Sequence, residues 1–386
     1  MQNILVYPAD EYGCGHHRLI WPCEVLNHTG HNEVTYVRQG DRRLKMGFHP
    51  ETDELLWVDV PESVEVVVFQ RITDSRVIQV VPYLRARGIA AVVDVDDDLS
   101  AIDPRHPAFM ELNPNRAEHE VSRGVQAGLV RSRDQASFIQ RSLASRYRHS
   151  WRNLEEACQR ATLVTVSTEG LLHRYARHGR GRVLHNYAPD HYFNIERLDA
   201  VSVGWPAALV SHPGDPDVTG NAIRRLVDED VYFSVIGSPV GAGVAFGLTA
   251  DPPGGDVTLE EWPHALASLG IGIAPLADTR FNVSKSWLKP LELSAVGVPW
   301  VASPRAEYRR LHALGAGVLA AKPKAWYREL RRLVDDPARR AELSLAGREV
   351  ASGLRLSANA WRHLEAWTDA LAIQRADHQK HSTVIS

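Results

Sequence analysis

The chain has 386 residues, of which 44% are hydrophobic and 24% charged, and a formal net charge of −3; this is the composition of a globular protein of two or three domains, and the near-neutral balance announces no polyanion as partner. Cys14, Cys23 and Cys158 form no CxxC pair and stand near no paired histidines, which excludes a disulfide framework and a structural zinc site. No run approaches the roughly 18 apolar residues of a membrane span, and the opening MQNILVYPADEYGCG lacks the basic start of a signal peptide, so a cytoplasmic location is expected.

Residues 3–7 read as a buried strand, 8–17 as a loop carrying Gly13 and Gly15, and 18–26 as the start of a helix. Strand, glycine loop and helix open a Rossmann-like unit, although Arg18 stands where the dinucleotide fingerprint needs its third glycine. A tight turn and a site role account for the glycines equally well. The run His16-His17-Arg18 favours the lining of a cleft.

Residues 34–38 and 65–70 are the next strands, with a polar hairpin or insertion over 41–60. Arg71 stands at a strand's carboxyl end, where open α/β sheets bind ligands; a salt bridge to a neighbouring loop is the alternative. A helix over 76–87 is stopped by Gly88. The strand 89–95 runs into Asp96, Asp97 and Asp98, so that with Asp94 four carboxylates fall within five residues. Their repulsion is costly unless they face water, a cation, a donor array or a helix start. A cap at Asp98 or Ser100 and a divalent metal site are two readings of the run.

Residues 118–158 read as mostly helical, with Val121, Val125, Phe138, Ile139, Leu143 and Tyr147 as candidate buried positions. Between Val121 and Arg152 seven arginines accompany a single acid, Asp134. This is either a solvated helical face or a contact surface for a phosphate-bearing acceptor, through Arg131, Arg133, Arg141 and Arg148. Residues 161–166 form a strand, with Ser167-Thr168-Glu169 capping the next helix, and 182–184 another before a crossover over 189–198. The second half repeats the alternation: strands at 201–205 and 232–237, a loop over 206–220 containing His212-Pro-Gly-Asp-Pro216, and a short helix over 262–269. The last strand is 316–320, followed by helices over 324–334, 337–354 and 357–373. The glycine-rich stretch 241–255 lacks the ending of a P-loop.

Residues 269–303, LGIGIAPLADTRFNVSKSWLKPLELSAVGVPWVAS, carry the strongest pattern. Two short strands, 271–274 and 298–302, enclose a polar loop and a helix with Ser284 or Ser286 as N-cap. Leu288, Leu291 and Ala295 form its buried stripe and Lys285, Lys289 and Glu292 a second face. Gly297 ends the helix, and Pro290 is expected to kink it or shift its start. A helix N-terminus beside two lysines at the end of a parallel strand suits an anionic phosphate. The run FNxSKSxLKxLExxAxGVPxVAS resembles the donor-binding motif of the GT-B glycosyltransferases, in the large retaining, nucleotide-sugar-dependent family (glycosyltransferase family 4-like).

The resemblance implies two Rossmann-like doubly wound α/β domains facing a cleft: an acceptor domain over 1–195, a donor domain over 196–356, a helix over 357–373 crossing back to the first domain, and a disordered tail over 374–386. It implies that Glu292 accepts from the ribose hydroxyls of the nucleotide. The family's second glutamate, eight residues earlier, is replaced here by Ser284. Lys285 then acts on the diphosphate with Lys289, and Asn282, Ser286, His212 and Gly237 complete the donor site. In the first domain Gly13, Gly15 and Arg18 lie near the donor sugar. His16 and the pair Asp96-Asp97, which stands where relatives carry His-Asp, are the further catalytic candidates, and Arg71 faces the acceptor. The implied activity is hexosyl transfer from a UDP- or GDP-linked sugar to a hydroxyl acceptor, with retention and without cofactor or metal. The acceptor is a glycan, a small molecule or DNA with hydroxymethylated bases. A nucleotide-sugar epimerase or a non-catalytic nucleotide-sugar-binding module is the reading from a different class.

Overall fold

Strands buried on both faces read as unbroken apolar runs, and the two longest runs of the first half behave so. VEVVVFQ and AAVVDV are buried along almost their whole length, and each fully buried valine or phenylalanine contributes about 1.5–3 kcal/mol. The computed structural model describes residues 3–30, 33–38, 45–106, 109, 125, 130–137, 150–198 and 200–385. They fall into two units, Met1–Leu184 with Ala360–Ser386, and His185–Asn359. The division thus comes before the crossover expected to end the first domain, at 184/185 instead of 195/196.

The first unit contains β1 (Asn3–Tyr7), β2 (Glu33–Tyr36), the antiparallel hairpin β3 (Met46–Phe48) and β4 (Leu55–Val58), β5 (Val64–Gln70), β6 (Ala90–Val95), β7 (Leu163–Val166) and β8 (Gly181–Val183). Six of them form one parallel sheet in the order β2-β1-β5-β6-β7-β8. The connection after β1 is helical from Gly13: a single turn Gly13–Gly15, a π-helical segment His16–Ile20 and the helix Trp21–His28. The expected loop through residue 17 is therefore shorter, and its histidines lie on the helix.

The C-terminal helix Trp361–Ile385 also belongs to the first unit. It continues well past residue 373, where a disordered tail was expected, because its second half is anchored. Gln374 is buried, accepts from Thr162 Oγ1 at 3.0 Å and donates to the Arg85 carbonyl at 2.8 Å. Asp377 pairs with Arg180 at 2.6 Å and Arg85 at 3.1 Å.

The second unit repeats the architecture with β9 (Ser202–Trp205), β10 (Tyr232–Ile236), β11 (Gly254–Gly255), β12 (Ile271–Ala274), β13 (Trp300–Ala302) and β14 (Val318–Leu319), parallel in the order β11-β10-β9-β12-β13-β14. Apolar clusters around Leu291, Leu293 and Trp300 and around Trp205, Phe246 and Trp326 make up its core. The helix Leu288–Ala295 follows β12 and is buried from Pro290 onward. Pro290 is its third residue, where a backbone N–H has no intrahelical partner to lose, so it sits in the first turn and forces no kink. Among the described residues no helix is long and apolar enough to cross a membrane.

Candidate active site

Each sheet has one place where the strand order reverses: β1 lies between β2 and β5, and β9 between β10 and β12. The loops leaving the two strands beside such a reversal diverge at their carboxyl ends, and open α/β sheets bind ligands in the crevice between them. In the second unit these are the loops after β9 and β12, which hold His212, Asn282, Ser284, Lys285 and Ser286 of the expected donor residues.

A buried carboxylate ties the two loops together. Asp215 is 2% exposed. Its Oδ1 accepts from Asn282 Nδ2 at 2.6 Å and from the Ala277 N–H at 2.8 Å, and its Oδ2 faces His212 Nδ1 at 2.9 Å. Lys289, on the helix, donates to the Pro206 carbonyl at 2.7 Å, so it also reaches the loop after β9. Lys285 Nζ lies 4.5 Å from the centre of the Phe281 ring. Burial above all, helped by Lys289 and Lys285 and opposed by Asp215, pulls the His212 imidazole down to about 4. At neutral pH the ring is uncharged. With a carboxylate at Nδ1 the proton is assigned there, and Nε2 carries a lone pair. The resting ring is therefore an acceptor, not a donor, at Nε2.

The serines take other places than expected. The helix begins after Trp287, without a side-chain cap. Ser284 instead closes the separate turn Arg280–Val283, whose N-cap is Thr279, accepting from the Asn282 N–H. Ser286 Oγ accepts from Asn186 Nδ2 at 2.9 Å. Gly237 has φ +122°, and a Cβ there would stand 3.3 Å from the backbone at Ala207 and Ala208. A side chain would push against the loop after β9.

Glu292 is 3% exposed. Its Oε1 accepts from Tyr192 Oη at 3.2 Å and Trp262 Nε1 at 3.1 Å. The buried Tyr308 senses both acids: its phenol is raised by burial first, then by Asp215 and Glu292. Asp215, Tyr192, Trp262 and Tyr308 escaped the sequence reading. Only Asp215 left a trace there, as the acid of the HPGDP turn.

In the first unit the corresponding loops follow β1 and β5. Asp10 Oδ1 accepts from the Tyr12 and Gly15 N–H groups at 3.0 and 2.9 Å, and Oδ2 binds Arg71 across the reversal. Gly15 is required here, since a Cβ would fall 1.8 Å from the Asp10 carbonyl oxygen. Gly13 has open space around it. His16 faces the Tyr12 carbonyl through Nδ1 at 3.0 Å and packs against Trp21. Arg71 holds a left-handed φ of +54°, and its Nε is 3.6 Å from Asp96 Oδ1. Asp96 foremost raises its pKa. The alternative to an acceptor contact, an ion pair with a neighbouring loop, is what the geometry has.

Arg18 is corrected outright. It is 1% exposed and grips Asp94 in two parallel bonds, Nε to Oδ1 at 3.0 Å and Nη2 to Oδ2 at 2.7 Å, while Nη1 donates to the Leu184 carbonyl. It binds the π-helical segment to β6 and to the residue after β8, and is not placed to contact a donor. The acidic run is divided in the same manner. Asp94 goes to Arg18 and Thr165, Asp96 to Arg71, and Asp98 accepts from the Ser100 N–H and from Tyr175 Oη. Asp97 is half-buried. No group of His, Cys, Asp and Glu suited to a metal occurs among the described residues. In the basic segment Arg131 and Arg133 are exposed, as is Val125, expected to be buried. Arg141 and Arg148 lie outside the described residues.

No protein-family model matches the chain, and no curated relative does. Solved structures do. HepE of Anabaena in complex with UDP and glucose superposes with a TM-score of 0.55 at 10% identity, over 96% of this chain and 100% of that one. Its complex with UDP-glucose gives the same values. Sucrose-phosphate synthase of Thermosynechococcus elongatus superposes with a TM-score of 0.53 at 12% identity, over the whole of both chains. At such identity the likeness is one of fold, and the fold, two Rossmann-like units with the last helix returned to the first, is that of the GT-B glycosyltransferases.

Proposed function

We propose that the protein transfers a sugar from a nucleotide-sugar donor to a hydroxyl acceptor. The observation that carries this reading is the strand-order reversal of the second unit, where the Asp215-held pair His212 and Asn282 lies on the segments after β9 and β12 and Lys289 reaches in from the helix that follows. The binding of UDP, glucose and UDP-glucose by a protein of the same fold supports a nucleotide-sugar ligand. Lys285 and Lys289 offset the charge that grows on the leaving diphosphate, which lowers the barrier because the charge is larger in the transition state than in the ground state. Glu292, oriented by Tyr192 and Trp262, takes the ribose hydroxyls. The acceptor hydroxyl is received by the first unit, where Asp96 and Asp97 accept hydrogen bonds from it. Retention of configuration, a hexosyl group, a UDP or GDP carrier and independence from metal belong to the same proposal.

The test is a mass-spectrometric screen of UDP- and GDP-sugars with mixed hydroxyl acceptors, run with and without EDTA. A transferred hexose and free nucleoside diphosphate are expected, unchanged by the chelator. An epimerised nucleotide sugar without transfer would identify an epimerase. Tight donor binding without turnover would identify a binding module; Ser284, where the resembled family carries a glutamate, is the residue that keeps both alternatives alive.

A further inference from the structure

We propose that His212 takes up a proton as the donor binds and holds the diphosphate as an imidazolium, with Asp215 as the residue that positions it; this rests on the donor-site reading given above. Among the described residues the ring's hydrogen bond is at Nδ1. Nδ1 bonds Asp215 Oδ2 at 2.9 Å, and Asp215 is itself immobilised by Asn282 Nδ2 and the Ala277 N–H at 2.6 and 2.8 Å. Because Nδ1 carries its proton toward the carboxylate, the other nitrogen, Nε2, is the one left for a ligand, and in the neutral ring it is an acceptor. A nucleotide-sugar diphosphate offers acceptors and anionic charge alone. Acceptor against acceptor repels, so the ring can join the site only after Nε2 gains a proton.

The surrounding charges act in the direction this requires. The groups that face His212 are Asp215 on its own loop, Lys285 and Lys289 on the segment after β12, and the edge of Trp205 at the end of β9, with ring centres 6.2 Å apart. Without donor, the two lysines and burial oppose a third positive charge. A diphosphate brings two negative charges that offset the lysines, and the carboxylate of Asp215 then favours the imidazolium. His212 would thus be the adjustable ligand of the site, neutral when it is empty and cationic when it is filled, next to Lys285 and Lys289. The sign follows from linkage: binding that takes up a proton strengthens as pH falls, between the pKa of the empty protein and the higher pKa of the complex.

The experiment is calorimetry of UDP-glucose, with GDP-glucose in parallel, between pH 5.5 and 6.5 in cacodylate, MES and bis-tris buffers. Neither phosphate of such a diester titrates in this range, so buffer-dependent heat reports protons taken up by the protein. About one proton per bound donor is expected, with Kd rising roughly tenfold per pH unit across the window. His212→Gln, whose amide N–H substitutes for the protonated Nε2, should bind with no uptake and no pH slope. Proton-free binding by the natural protein, or full uptake retained in His212→Gln, would overturn the inference and leave the donor site standing. Failure of every nucleotide sugar to bind would overturn the donor-site reading and this inference with it.

Discussion

The two units place the same device at the same point of their folds and give it opposite charge. In each, an aspartate in the loop after the first strand reaches across the strand-order reversal, Asp10 to Arg71 and Asp215 to Asn282 and Ala277. Asp215 holds His212, and the charges of Lys285 and Lys289 are felt at the imidazole. Around Arg71 stand Asp10, Asp96 and Asp97, and the guanidinium is offset inside the protein. The parallel sheet dictates where a ligand can enter, whereas the loop charges dictate which ligand it is. In the proposed reading the second crevice takes the diphosphate and the first the acceptor hydroxyl.

Mutations can break this comparison. The largest effect is expected from Arg18→Ala, which leaves Asp94 buried and unpaired and should cost about 3–5 kcal/mol of stability. A denaturant midpoint that does not move would return Arg18 to a ligand-binding role. Lys285→Ala should lower kcat by about 10²–10³, as loss of one group stabilising developing charge does elsewhere. If the KM rose and kcat held, Lys285 would bind donor and transition state alike. Glu292→Gln keeps the shape of the side chain and removes its charge. Charge-assisted hydrogen bonds of this kind are worth roughly 1.5–3 kcal/mol, so UDP-glucose affinity should fall about ten- to a hundredfold by calorimetry.

Smaller effects sharpen the picture. Burial first, then Arg18, lowers the His363 imidazole to about 3. Between that value and the ordinary 6.5 the unfolded chain binds the extra proton and the native protein does not. Stability is therefore complete above about pH 6.5 and is lost as pH falls, at up to about 1.4 kcal/mol per pH unit. His363→Gln should flatten the pH dependence of the Tm below pH 6.5, and an unchanged profile would show that other groups set it. Last, Arg131→Ala with Arg133→Ala, both exposed, should change stability by less than about 0.5 kcal/mol and leave transfer to a neutral acceptor unaltered. A mobility shift with duplex or single-stranded DNA at low salt that these substitutions abolish would instead favour a phosphate-rich acceptor.

Much of the fold and part of the site were legible in the chain. β1 and β12 coincide with the expected strands, since a run such as IGIA, or ILV within β1, is apolar throughout only where both faces are covered. The helix carrying Lys289 and Glu292 was marked by its own local spacing. What escaped was partnership at long range. Arg18 and Lys289 both looked like cations at a ligand loop, yet only the packed sheet brings Arg18 to a carboxylate 76 positions away. Likewise Asp215 reads as a turn residue until the loop after β12 supplies its two donors from more than 60 positions on. The last helix outruns its apolar period because Thr162, Arg85 and Arg180, distant in sequence, hold Gln374 and Asp377. Burial periodicity is a local property and is written residue by residue. The role of a charge depends on which opposite charge or donor the tertiary structure sets against it, so that role was decided only when the chain folded.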